Sequence, residues 1–206
     1  MRVALTFDAE HPDRPRCPPG AARSILETLA GAGVHATFFV QGRWAQAYPA
    51  TARRIAADGH LVGSHSFYHA RLPLLSDAGL EADIGDAEAA IRANVGVDPR
   101  PWFRCPFGAG WDDPRILAAL ERHGYRHVGW DVVPADWLPE RTAAEVRRFV
   151  VEGALRQGDG SVVLLHTWPG PTAEALPGIL LDLRAAGADL SPVDALPTLP
   201  GTAISP

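Results

Sequence analysis

The sequence lacks several features that mark particular classes of protein. Its 206 residues include two cysteines, Cys17 and Cys105, too few for a disulfide framework. No apolar run is long enough to span a bilayer as a helix. There is no basic excess, and a formal net charge of -5 argues against binding to nucleic-acid phosphates. What remains, with 47% hydrophobic and 21% charged residues, is typical of a soluble globular protein.

The length fits one domain with a sizeable core. We expect a single domain over residues 1–206, with its core at about 3–196, because no linker, repeat or low-complexity segment divides the chain. Residues 2–7 resemble a core strand more than a signal peptide. A cytoplasmic location is therefore expected, or an extracytoplasmic one if a leader has been removed.

Short apolar runs alternate with helical patterns along the chain. Strands are predicted at residues 3–7, 36–40, 61–63, 101–103, 125–130, 161–165 and 190–193. Helices are predicted at about 21–32, 49–58, 77–94, 113–121, 143–156 and 172–186. This alternation favours an α/β protein with a mostly parallel sheet. About seven such units without a glycine-rich phosphate loop favour a barrel over a dinucleotide-binding sheet.

Ionisable residues follow five of the predicted strands directly, namely Asp8, His65, Arg104, Asp131 and His166. In a β/α barrel, the strand ends on one face hold the catalytic groups. Each residue alone would be interpreted as a cap or a solvated loop residue. Five together favour a site.

The histidines His65 and His69 would lie on one face of a helical turn. Two converging imidazoles suit Zn²⁺ and its neighbours in the first transition row. The pair is not a zincin motif, because Ser66 stands where that motif has glutamate. On spacing alone two surface histidines would be the simpler interpretation, but the other strand-end groups favour a metal site.

Five segments in order resemble the motifs of the polysaccharide deacetylase family, the NodB-homology domain of carbohydrate esterase family four. They are TFDAE at 6–10, SHSFYH at 64–69, FRCPFG at 103–108, the stretch from Trp130-Asp131 to Asp136-Trp137, and VLLH at 163–166. One such segment would be weak evidence, whereas five in order are specific. The resemblance covers nearly the whole chain and implies a deformed (β/α) barrel.

The first motif departs from the family pattern, which usually has two adjacent aspartates. Ala9 stands at the second of these positions and cannot bind a metal. Glu10 is expected to supply the carboxylate instead, with His11 and Asp13 as the other candidates. The departure also leaves open a non-catalytic carbohydrate-binding barrel.

The resemblance implies a role for each motif residue. One divalent metal, Zn²⁺ in the first place and Co²⁺, Ni²⁺ or Mn²⁺ as alternatives, would bind Glu10, His65 and His69. Asp8 would be the general base and His166 the general acid. Further residues would assist: Arg104 paired with Asp8, Asp136 tuning His166, and Phe107, Trp137 and Trp168 at the substrate, although packing is an equal alternative for Trp168.

The expected activity is metal-dependent removal of N-acetyl or O-acetyl groups from a carbohydrate such as peptidoglycan, a chitin-type oligosaccharide or another amino sugar. An intracellular amidohydrolase acting on a small N-acetylated metabolite is the main rival. The expected partner is thus a carbohydrate or a small N-acetylated molecule, with no nucleic acid and no membrane span. Two free thiols are expected in preference to a disulfide between Cys17 and Cys105.

Overall fold

The protein, described here by a computed structural model over residues 1–11 and 20–196, has a sheet of seven parallel strands. The strands are β1 (Arg2–Ala9), β2 (Thr37–Val40), β3 (Leu61–Ser64), β4 (Trp102–Phe103), β5 (Arg126–His127), β6 (Ser161–His166) and β7 (Asp189–Leu190). The helices are α1 (Ala21–Ala32), α2 (Gly42–Ala47), α3 (Pro49–Ala57), α4 (Asp77–Asn94), α5 (Pro114–Arg122), α6 (Ala143–Gln157) and α7 (Gly170–Ala185). The predicted α/β class with a parallel sheet is confirmed.

The sheet curls into a deformed barrel through the chain that follows β5. Its strand order is β5-β4-β3-β2-β1-β6, with β7 beside β1. The Val128 amide donates to the Phe103 carbonyl in β4 (2.8 Å), and the Val132 amide then donates to the Val162 carbonyl in β6 (3.1 Å). The segment that follows β5 therefore runs from one end of the sheet to β6 at the other end and brings the two ends together.

Most predicted elements are present, with three differences. Helix α2 was not predicted, and β5 ends at His127 rather than at residue 130 because the chain leaves β4 for β6. The last strand ends at Leu190, after which Val193 belongs to a short 3₁₀ turn. Helix α4 begins at the predicted residue, 77, where the Ser76 hydroxyl accepts from the Gly79 amide and caps the helix.

Alternation along β1 separates the core into an outer and an inner layer. Val3, Leu5, Phe7 and Ala9 belong to the apolar cluster under the helices, whereas Ala4 belongs to the cluster inside the barrel. Thr6 and Asp8 follow Ala4 at intervals of two residues and bond to groups inside the barrel. The strand period thus points the polar side chains of β1 toward the interior.

Two earlier expectations concern features away from the sheet. Among the helices of residues 1–11 and 20–196, none is both long and apolar enough to cross a membrane. Cys105 is a buried free thiol whose pKa burial raises to about 12. Cys17 and Asp13 lie outside the described residues, so the preference for two free thiols over a Cys17–Cys105 disulfide and the Asp13 alternative remain predictions.

Candidate active site

A cleft of about 250 Å³ opens at the carboxyl ends of the strands. Strand β1 brings Asp8 and Glu10 to it, the segment after β3 brings His65 and His69, and β6 brings His166. Asp131 does not join them, because its carboxylate accepts from the Val162 amide (2.9 Å) at the sheet edge. Asp131 therefore orients the backbone of β6 and takes no part in the cleft.

Glu10 lies at the centre of the cleft and is 3% exposed. Its Oε2 lies 3.2 Å from Nε2 of His65 and 2.5 Å from Nε2 of His69. Its Oε1 lies 2.8 Å from Nε2 of His11 and 3.8 Å from Nε2 of His166. Burial opposes ionisation of Glu10, but hydrogen bonds to His11, His65 and His69 hold its pKa well below the usual range.

The His65 ring is oriented by a bond on its far side. Nδ1 lies 2.8 Å from the backbone carbonyl oxygen of Arg104, which can only accept, so Nδ1 carries the proton. The lone pair of Nε2 therefore points into the cleft, toward Glu10 and Asp8. This is how metal-binding histidines are commonly oriented.

The turn that carries the histidine pair is not helical, so the predicted helical register is wrong. Ser66 and His69 have positive φ angles of 63° and 58°, in the left-handed region. The Ser66 hydroxyl accepts from the His69 amide (2.9 Å) and closes this turn. The two rings still converge, with centroids 4.9 Å apart.

Asp83, a residue that the sequence analysis missed, holds this turn against α4. Its two carboxylate oxygens each lie 3.0 Å from an amide nitrogen, those of Phe67 and Tyr68. Burial raises the pKa of Asp83 despite these bonds. The available signal was an aspartate on the buried side of α4, beside Leu80 and Ile84.

Arg104 lies fully buried beneath the cleft. Its Nη1 donates to Oδ1 of Asp8 (2.9 Å) and to the Thr6 hydroxyl (2.8 Å). Its other donors reach the carbonyl oxygens of Val128 and Gly129 at 3.2 and 3.0 Å. Because the bonds hold Oδ1 of Asp8, its Oδ2 is left facing the cleft, 3.4 Å from Nε2 of His65.

His166 is held on its outer side by Asp136, as the resemblance implied. Nδ1 of His166 lies 2.8 Å from Oδ1 of Asp136, and the other carboxylate oxygen accepts from the His166 amide (2.9 Å) and the Thr172 hydroxyl (2.6 Å). Burial lowers the pKa of His166, but the charge and hydrogen bond of Asp136, together with the charges of Glu10 and Asp8, raise it to about 9. Thr172 was not foreseen as part of this network.

Aromatic and apolar side chains line the rest of the cleft. Phe107 is 52% exposed at the rim and its ring packs on His69, with centroids 4.4 Å apart. The Trp137 ring lies beside His166 at 5.3 Å, and Trp168 donates its Nε1–H to Oε1 of Glu10 (3.2 Å). Trp44, by contrast, is 4% exposed and packs in the apolar cluster under the helices.

Comparison with known proteins identifies the class. The sequence profile of the polysaccharide deacetylase family matches residues 1–128. A chitooligosaccharide deacetylase from Azorhizobium caulinodans is 32% identical over 84% of this chain and 77% of its own length. A peptidoglycan-N-acetylmuramic acid deacetylase from Bacillus subtilis is 26% identical over 94% and 70%.

Solved structures agree in fold. A family 4 carbohydrate esterase from Streptomyces lividans, in complex with acetate, is 30% identical with a TM-score of 0.79 and covers 92% of this chain and 91% of its own. A mutant of a pseudoenzyme of the same family, with restored enzymatic activity, is 26% identical with a TM-score of 0.82 over 95% and 66%. The chain belongs to the polysaccharide deacetylase family, whose relatives here support carbohydrate deacetylation.

Proposed function

We propose that the protein is a metal-dependent deacetylase that removes the N-acetyl group of an amino sugar in a polysaccharide or oligosaccharide. The observation that carries the proposal is the position of Glu10. It lies between the pair His65–His69 on one side and His166 on the other, next to Asp8. A metal site, a base and an acid thus share one cleft.

The residues present fit a divalent metal. Ligand atoms of Glu10, His65 and His69 lie within 4.8 Å of one another. Two imidazole nitrogens and one carboxylate oxygen are the ligand set of several catalytic zinc sites, and three protein ligands leave a position open. We propose Zn²⁺ first, with Co²⁺, Ni²⁺ and Mn²⁺ as alternatives. When bound, the metal would polarise the acetyl carbonyl and lower the pKa of a water molecule.

Asp8 is the proposed general base. Because the guanidinium of Arg104 bonds to Oδ1, the orientation of the Asp8 carboxylate is fixed. Oδ2 faces the cleft and would accept the proton of the attacking water. Arg104 itself is fully buried and acts through Asp8.

His166 is the proposed general acid. Its Nδ1–H is bonded to Asp136, so the second proton of the imidazolium lies on Nε2, which faces the cleft. A pKa of about 9 keeps His166 protonated at neutral pH. Nε2 can therefore donate to the leaving nitrogen, and an amine needs that proton to leave.

The apolar end of the cleft matches a small acyl group. Val133, Leu164 and the rings of Trp130 and Trp137 line the same cavity as His166. A methyl group would be buried there, while the exposed Phe107 ring could stack on a sugar face at the rim. The names of the relatives support a chitin-type oligosaccharide or peptidoglycan.

Acetate release tests the proposal. Zinc-loaded protein should release acetate from N-acetylated chitooligosaccharides or peptidoglycan fragments, with O-acetylated xylan and small N-acetylated amines for comparison. Chelator treatment should abolish release and added Zn²⁺ should restore it. If only the small amines react, the substrate is a metabolite. If the zinc-loaded chain releases no acetate from any of them yet binds a chitooligosaccharide, it is a non-catalytic barrel.

A further inference from the structure

The carboxylate of Glu10 is divided between two sets of neighbours. Oε2 faces His65 and His69, the pair proposed to bind the metal. Oε1 accepts from the indole Nε1–H of Trp168 (3.2 Å) and lies 2.8 Å from Nε2 of His11. One oxygen is therefore directed to the histidine pair, while the other is held from the opposite side.

The Glu10 side chain could also orient toward a second group of possible metal ligands. A second set of ligand atoms, from Asp8, Glu10 and His166, also lies within 4.8 Å. Glutamate has one more rotatable bond than aspartate, so fixing its side chain in one rotamer costs more conformational entropy. A glutamate that follows Ala9 at this position therefore needs an anchor to face His65 and His69 reproducibly.

Trp168 is built to be that anchor. Indole nitrogen can only donate and does not titrate, whereas the His11 ring can donate or accept. The backbone next to Trp168 is tied to β1, because the Thr167 amide donates to the Asp8 carbonyl (3.1 Å). On its other side, Pro169 occupies the N-cap position of α7. The indole is thus fixed relative to the strand that carries Glu10.

We propose that Trp168 is a positioning residue for the metal ligand Glu10, and that its Nε1–H holds Oε1 so that Oε2 faces His65 and His69. The inference rests on the proposed function, in which Glu10 binds the metal. It assigns Trp168 to the metal site through its N–H group rather than to a sugar face through its ring.

The test is Zn²⁺ affinity measured by chelator competition on the full chain, without any activity readout. Trp168→Phe keeps an aromatic ring but removes the N–H, and should weaken Zn²⁺ binding about 10- to 100-fold, as loss of an outer-sphere partner commonly does. Trp44→Phe makes the same change in a buried tryptophan of α2 and should leave the affinity unchanged. Incorporating 3-benzothienylalanine at position 168 replaces the N–H by sulfur at nearly constant shape. It should weaken Zn²⁺ binding as Trp168→Phe does, and it separates the loss of the N–H from any disturbance that the smaller phenylalanine ring causes.

A double-mutant cycle shows whether Trp168 acts through Glu10. Glu10→Gln should weaken Zn²⁺ binding, and adding Trp168→Phe to it should cause little further loss. If the effects of the two substitutions multiply, or if neither change at position 168 weakens binding while Glu10→Gln does, this inference alone is overturned. If the wild-type chain binds no Zn²⁺, or if Glu10→Gln has no effect, the proposed metal site fails as well.

Discussion

Asp8 and Glu10 direct their carboxylates to the same atom, Nε2 of His65, at 3.4 and 3.2 Å. Ala9 stands between them and belongs to the apolar cluster under the helices. Because side chains alternate along a strand, an acid-x-acid sequence at the end of β1 places both carboxylates in the cleft. Two adjacent acids at positions 8 and 9 would instead point to opposite sides of β1, and only the first would face the cleft.

Moving the second acid to position 9 should therefore not rebuild the site. In the double variant Ala9→Asp/Glu10→Ala we expect Zn²⁺ affinity as low as in Glu10→Ala alone. A carboxylate on the apolar side of β1 should also lower the unfolding free energy by several kcal/mol, roughly the cost of burying an unpaired charge. Isothermal titration calorimetry with Zn²⁺ measures the affinity, and urea unfolding measures the stability, of the wild type, the Glu10→Ala variant and the double variant. Recovery of affinity in the double variant would show that β1 can present residue 9 to the cleft.

Arg104→Met should destabilise the fold, because it leaves the buried Asp8 carboxylate without its cation. Removing one partner of a buried ion pair costs about 3–5 kcal/mol. Arg100→Met breaks an ion pair with Asp98 at the surface (2.7 Å) and should shift the urea midpoint far less. Equal midpoint shifts in the two variants would contradict the claim that the buried Arg104–Asp8 pair matters more for stability than the exposed Arg100–Asp98 pair.

His166→Ala should damage turnover of amides more than substrate binding. In the proposed mechanism the acid acts on the leaving nitrogen in the transition state, so kcat should fall about 10²- to 10⁴-fold while KM changes little. An activated aryl ester should lose less, because its leaving group departs without a proton. Metal content, measured alongside, should stay at the wild-type level. Equal losses on both substrates would argue against the acid role, and lost metal would make His166 a ligand.

Asp83→Asn should loosen the turn that carries His69. An amide cannot accept from both Phe67 and Tyr68 as the carboxylate does, so the unfolding free energy should fall by about 1–3 kcal/mol. Zn²⁺ affinity should fall with it, whereas Asp86→Asn on the exposed side of α4 should change neither. Wild-type affinity in a destabilised Asp83→Asn protein would separate the turn from the metal site.

His60 should make stability depend on pH. Its Nδ1 accepts from the Ala36 amide (3.2 Å), and burial lowers its pKa to about 4 from 6.5. Above pH 6.5 the His60 ring is neutral in both the folded and the unfolded chain. Between pH 6.5 and about 4 only the unfolded chain gains a proton, so the unfolding free energy should decrease as the pH falls, and this effect should level off below pH 4.

The contribution of His60 is measured as the difference in unfolding free energy between wild type and variants over this pH range, with all proteins free of metal. After a discount for partial hydration of the ring, about 2 kcal/mol of the acid-side loss should disappear in His60→Gln. His35→Gln, which changes an exposed neighbour, should keep most of the wild-type slope. A wild-type slope in His60→Gln would assign the pH dependence to other groups.

The residues at the strand ends and the class of fold could both be predicted from local patterns in the chain. Alternating apolar runs and helical patterns are local signals, so the parallel α/β architecture and the helix α1 (Ala21–Ala32) could be predicted closely. Five motif segments placed Asp8, His65, Arg104 and His166 in order along the chain.

How these residues meet depends on the folded arrangement of the strands and loops. The left-handed turn at Ser66 and His69, the bond from Trp168 to Glu10, and the support of Asp83 under the histidine turn all join positions in ways that spacing does not reveal. Trp168 and Glu10 are 158 residues apart in the sequence, and they meet because β1 and β6 are neighbours in the sheet. Local patterns report which face a side chain occupies, whereas partners across the barrel depend on strand order and on where each loop turns.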